Sequence, residues 1–102
     1  MQKIYRAMCE EEYIKTLLSS KPNFSKRFKW FSKSLTFISQ RVKDGKFNNS
    51  QYKPNRYTHT LVFEWDGNNA DWENQYEIQF DRRKNPNITL IGVIDEMATR
   101  QT

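Results

Sequence analysis

Between residues 73 and 80 polar and apolar side chains alternate without a break. Glu73, Gln75, Glu77 and Gln79 point one way, and Asn74, Tyr76, Ile78 and Phe80 the other. The functional reading is that this face lines a cleft, with Gln75 and Glu77 in it. An ordinary solvated strand face has the same pattern. Periodicity leaves both readings open, so the other chemistry-bearing residues have to be weighed with Gln75 and Glu77.

Two further positions stand out. Arg6 lies inside the apolar stretch KIYRAM, and a buried arginine is rare without a partner. That partner is either an acid of this chain, Glu77 among them, or an anionic ligand held by a bidentate cation. The stretch Trp30-Phe31-Ser32-Lys33-Ser34 delivers two hydroxyls at the end of a strand, just before a helix. Ser34 is also explained as a helix N-cap and Ser32 as a strand-end hydroxyl. The single cysteine, Cys9, and the single histidine, His59, offer no metal-ligand spacing. His59 falls on the apolar side of its strand and reads as a packed histidine.

Elements must position these groups. Lys3 to Met8 reads as a first strand and Cys9 to Ser20 as a helix, with Tyr13, Ile14, Leu17 and Leu18 on one face. Glu10, Glu11 and Glu12 sit in its first turn, where the helix dipole favours them. Phe28 to Ser32 reads as a second strand. A second helix runs from a cap at Ser34 through Asp44, with Gly45 as its stop. Phe47 to Asn55 has turn chemistry, and Arg56 to Trp65 alternates as a strand. Asp66 to Asn69 is a turn, Trp72 to Asp81 one strand, and Ile88 to Ile94 the last. The chain of 102 residues thus reads as a single α+β domain, residues 1–102, with two N-terminal helices packed on a mixed or antiparallel sheet.

Composition narrows the partners. Net charge is +5, and it is uneven: residues 21–56 hold ten Lys/Arg and one acid, whereas 57–81 hold six acids and no Lys/Arg. A basic half suits a nucleic acid, an anionic cofactor or an acidic protein, or else a solvated surface. No apolar run approaches the roughly 20 residues of a membrane span. The N-terminus turns acidic where a secretion signal would be apolar. The expectation is a cytoplasmic protein without a metal.

The order Arg on the first strand, Ser at a strand–helix junction and Gln-x-Glu on a late strand resembles the Arg–Ser–Glu class of ADP-ribosyltransferases. Tyr5-Arg6, Ser32-Lys33-Ser34 and Gln75-Tyr76-Glu77 carry the resemblance, which spans the chain as three short ordered motifs. Lys33 stands where the family's serine motif has Thr, and Ala7 where many relatives have Gly. The resemblance implies NAD as cofactor, with Arg6 on its pyrophosphate and Ser32 and Ser34 supporting the nicotinamide-side ribose. It implies Glu77 as the catalytic carboxylate and Gln75 as the residue orienting the acceptor. It also implies Trp72 as a target-recognition residue and a protein or nucleic acid as acceptor. A toxin or a phage anti-defence factor is the context it suggests. The competing reading is a non-enzymatic binding module. In it the basic 21–56 surface, with Trp30, Phe47 and Tyr52, contacts nucleic acid or an acidic protein. A small nuclease is a third reading, with no histidine pair to support it.

Overall fold

The computed structural model describes residues 1–22, 27–43 and 59–94, and the backbone alone at 41–43. The expected loop from Phe47 to Asn55, the stop at Gly45 and the strand start at 56–58 lie outside the described residues. In chain order the elements are β1 (Gln2–Met8), α1 (Glu10–Ser19), β2 (Phe28–Ser32), α2 (Leu35–Lys43), β3 (His59–Trp65), β4 (Trp72–Glu73), β5 (Glu77–Asp81) and β6 (Ile88–Ile94). The strands form one six-stranded sheet in the order β4-β5-β2-β1-β3-β6. Every pairing is antiparallel.

Both faces of β1 need cover, and this decides where the helices go. Ile4 and Met8 project to one side and Ala7 to the other, and all three are buried. On the Ile4 side lies the main core: Ile4, Met8, Phe31, Leu61, Phe63, Trp65, Ile78, Phe80 and Ile88. Phe31 sits edge-on to both Phe63 and Phe80 at 5.3 Å between ring centres, the geometry aromatic quadrupoles favour. α1 covers this core face through Tyr13 and the fully buried Thr16. On the other side Ile38 of α2 packs against Ala7 and Tyr5. The two helices therefore alternate with β1 and β2 and take opposite faces of a wholly antiparallel sheet.

The rotation of α1 differs from the expected one. Ile14, Leu17 and Leu18 are 50%, 44% and 84% exposed, and only Tyr13 of the expected apolar face reaches the core. Polar groups set the rotation instead. Glu12 turns inward to meet Arg6 and Lys29. The Thr16 hydroxyl donates to the Glu12 carbonyl at 2.8 Å, so it is buried without losing a hydrogen bond. The helix ends at Ser20, whose left-handed backbone (φ 57°) returns its N–H to the Thr16 carbonyl.

The expected single strand from Trp72 to Asp81 is broken. It is a hairpin, β4 and β5, with Trp72 opposite Gln79 and Glu73 opposite Ile78. Asn74 makes the break, because its side-chain oxygen accepts from the N–H groups of both Tyr76 and Glu77, at 2.9 and 2.7 Å. Local bonding by an Asx side chain competes with continuation of a strand, and here it wins. Gln75 consequently sits in the turn rather than on a strand face beside Glu77. Asn74→Ala is expected to lower the unfolding free energy by about 1 kcal/mol, read from urea denaturation. An unchanged midpoint would mean that water serves both N–H groups equally well.

Candidate functional site

Three strands that carry the sequence motifs are neighbours, in the order β5-β2-β1. On the face covered by α2, Ser32 stands directly opposite Glu77 on one side and Tyr5 on the other. Ser32 is 2% exposed and its hydroxyl is fully used. It donates toward the carbonyls of Ser34 (2.8 Å) and Tyr76 (3.1 Å) and accepts from the Ser34 N–H (3.0 Å). It thus ties the end of β2 to the residue just before Glu77. Ser34 caps α2, its hydroxyl accepting from the Phe37 N–H at 3.2 Å. Both serines hold backbone. Glu77 is half-buried, and its carboxylate has no hydrogen-bond or ion-pair partner among the described residues. Buried polar groups normally find partners, so a half-buried free carboxylate is the most ligand-ready group of the site.

Beside this pair the same face is aromatic and open. Trp30, Gln79 and Trp72 form a row across three strands, and Trp30 meets Trp72 edge-on at 5.4 Å over Gln79. Both tryptophans are nearly half exposed, as is Phe28, over which the Arg27 guanidinium lies at 4.8 Å. Tyr76 stacks on Phe37 of α2 at 5.2 Å. Gln75 is exposed in the turn between Trp72 and Glu77. Of the basic 21–56 stretch, three of the four cations with described side chains are occupied, Lys21 being the exception. Arg27 pairs with Asp81 (2.9 Å), Lys29 with Glu12 (3.1 Å) and Lys33 with Glu73 (2.7 Å). The Arg27 hydrogen bond, helped by the Arg83 N–H, holds the Asp81 carboxyl below its ordinary range.

Arg6 is not on this face. It alternates with Tyr5, so it shares the core face with Phe31, whose ring lies 5.9 Å below its guanidinium. Glu12 grips it at 2.6 and 3.0 Å. The third contact explains why an arginine belongs here. β1 pairs with β3 along its whole length but meets β2 only at Tyr5 and Ser32. Where β1 and β2 part, the Trp30 carbonyl has no strand partner on β1, and Arg6 Nη1 donates to it at 2.7 Å. Arg6 therefore bridges the gap between the two halves of the sheet.

Lys29 completes this cluster, and sequence reasoning passed it over. The signal was available: Lys29 and Phe31 share a face of FKWFS, which puts a lysine at a core position. It is 6% exposed. Burial, then the charge of Arg6, pulls its ammonium down to about 8 against the opposing pull of Glu12. Burial pushes the Glu12 carboxyl up, but Arg6 and Lys29 together outweigh it and leave it below its ordinary value.

The fold thus joins Ser32, Ser34, Glu77, Gln75 and Trp72 along one side of the sheet and sets Arg6 on the other. On the α2 face the Glu77 carboxylate is left to accept a hydrogen bond, whereas Arg6 is engaged by Glu12 and the Trp30 carbonyl on the other. His59 stacks on Tyr13 at 3.9 Å, a packing role. Among the described residues no helix is long and apolar enough to cross a membrane. The class that fold and site define is a small antiparallel α+β domain whose Glu77 carboxylate, unpartnered among the described residues, lies beside an exposed aromatic face. No family model, curated protein or solved structure matches the chain.

Proposed function

We propose that this chain is a small ADP-ribosyltransferase-like protein that uses NAD to modify a protein or nucleic-acid acceptor, with Glu77 as its catalytic carboxylate. The observation that supports this reading is the Ser32–Glu77 pair. Two motifs far apart in sequence meet as direct cross-strand partners, and Glu77 keeps a half-buried carboxylate with no partner among the described residues. NAD supplies an ADP-ribosyl group when nicotinamide departs. Glu77 accepts a hydrogen bond from a ribose hydroxyl and opposes the positive charge that develops nearby. Ser32 is a positioning residue: its bonds to Ser34 and Tyr76 set where β5 begins. Gln75 and Trp72, at the exposed rim, meet the acceptor. Arg6, which the resemblance assigns to the pyrophosphate, lies on the opposite face in the grip of Glu12 and the Trp30 carbonyl and is left out of this site.

Calorimetric titration with NAD tests the reading, with Glu77→Lys as control. Saturable binding that is lost in Glu77→Lys, with the circular dichroism spectrum unchanged, supports it. No heat at millimolar NAD removes it.

The exposed aromatic row favours a second reading, a non-enzymatic binding module for nucleic acid. Stacking on Trp30 and Trp72 contributes about 1–3 kcal/mol per base, and the +5 chain adds a salt-dependent attraction. Under that reading a single-stranded oligonucleotide binds in the absence of any NAD binding. Affinity then falls steeply with salt and drops again in Trp72→Ala.

A further inference from the structure

We infer that the free edge of β6, together with the exposed ridge of α1, is the interface of a two-fold homodimer. The two edges of the sheet are unlike. At one end β4 is two residues long, and charges crowd it: Glu73 with Lys33, and Asp71 with Lys84. Short length and charge are the ordinary defences of a sheet edge. At the other end β6 runs seven residues, ITLIGVI, with no charged residue and no proline. Among the described residues only β3 pairs with it. One outward group is already served: the Leu90 N–H donates to the Ser20 carbonyl at 2.9 Å. A register shift in the β3–β6 ladder leaves Ile91 without a counterpart on β3. The stretch Ile91–Ile94 beyond it is the open template.

The contact between Ser20 and Leu90 also brings the last turn of α1, with Leu17 and Leu18, to this edge. Ile14, Leu17 and Leu18 on the helix and Ile91 and Val93 on the strand are between 42% and 84% exposed. An unpaired main-chain edge calls for an extended strand, and the apolar ridge beside it calls for a second apolar ridge. A second copy of this chain supplies both. Antiparallel pairing of β6 with itself closes on a two-fold axis, so it stops at two chains. The strand is uncharged, so two basic copies meet there without like charges opposite one another. The sheet continues through the dimer as twelve strands, with the two α1 helices side by side on one face.

Sedimentation equilibrium of the full chain tests this. The expected mass is about twice 12.4 kDa. Val93→Lys and Leu18→Lys are each expected to weaken the dimer at least about tenfold. Both side chains are exposed in the single chain, so both variants should keep the wild-type circular dichroism spectrum. A mass of one chain up to millimolar protein overturns the inference. So does open-ended association, or a dimer that both variants leave unchanged.

Discussion

Glu77→Gln is expected to lower ADP-ribosyl transfer, or NAD hydrolysis where water is the acceptor, by roughly 10²–10³-fold while NAD still binds. The reasoning is electrostatic. Glutamine keeps the size of the side chain and an acceptor oxygen for a ribose hydroxyl, but it lacks the negative charge that matters once positive charge develops. The loss should therefore fall on kcat and leave KM nearly unchanged. The backbone at Glu77 is fixed independently by Asn74 and by the pairing with Ser32, so the variant should fold as well as the parent. Parent-like turnover would remove Glu77 from the chemistry. A raised KM with parent-like kcat would make it a binding residue only.

The largest stability effect is expected at Glu12. Glu12→Gln should lower the unfolding free energy by about 3 kcal/mol, measured by urea denaturation at neutral pH. One carboxylate neutralises both Arg6 and Lys29. Without it two cations face each other, one of them only 6% exposed. Lys29→Met should cost less than about 1 kcal/mol, because removing a buried ammonium relieves as much desolvation as it loses attraction. The pH dependence carries a separate signature. The Lys29 ammonium titrates at about 8 in the fold against 10.5 ordinarily. Between those values the unfolded chain holds the proton and the folded chain has released it. The contribution of this group to stability therefore rises with pH through that window and is flat below about 8. The rise should vanish in Lys29→Met. Glu12 has the same sign in an acid window: its carboxyl lies below 4.5 in the fold, so its contribution is present above that value and lost as pH falls through the lowered one. A Glu12→Gln variant as stable as the parent would mean that the cluster is held by packing and that its charges are solvated.

Much of the architecture was readable without coordinates. Strict alternation marked β3, apolar stretches marked β1 and β6, the hydroxyl at Ser34 announced α2, and three glutamates fitted the first turn of α1. The turn after β3 was legible in Asp66-Gly67-Asn68-Asn69. Gly67 there has φ 88°, and Asp66 accepts from the Asn68 N–H. Each of these signals is local: a period, a cap or a turn residue acts on neighbours within a few positions.

The same locality explains the misreadings. Alternation from Glu73 to Phe80 described one strand, yet a single side chain, Asn74, offered the backbone a better partner and folded it into a hairpin. Helical spacing put Ile14, Leu17 and Leu18 inward. Glu12 was worth more inside, beside two cations, so the helix turned its leucines to solvent. The order of the three motifs along the chain was legible, but neither the adjacency of β5, β2 and β1 nor the face of Arg6 was. Which side of a sheet a residue occupies relative to another strand depends on register, and register is set by long-range pairing and by the packing of both faces at once.

The sequence by itself determined the residue types that can act, most of the strands and helices that carry them, and the α+β class. Only the tertiary structure decided that Ser32 meets Glu77, that Arg6 turns to Glu12 across the sheet, and that β6 and α1 leave an apolar edge uncovered. The first set follows from interactions within a turn or a strand. The second follows from competition among distant groups for the same buried volume and the same hydrogen-bond partners, which no local pattern records.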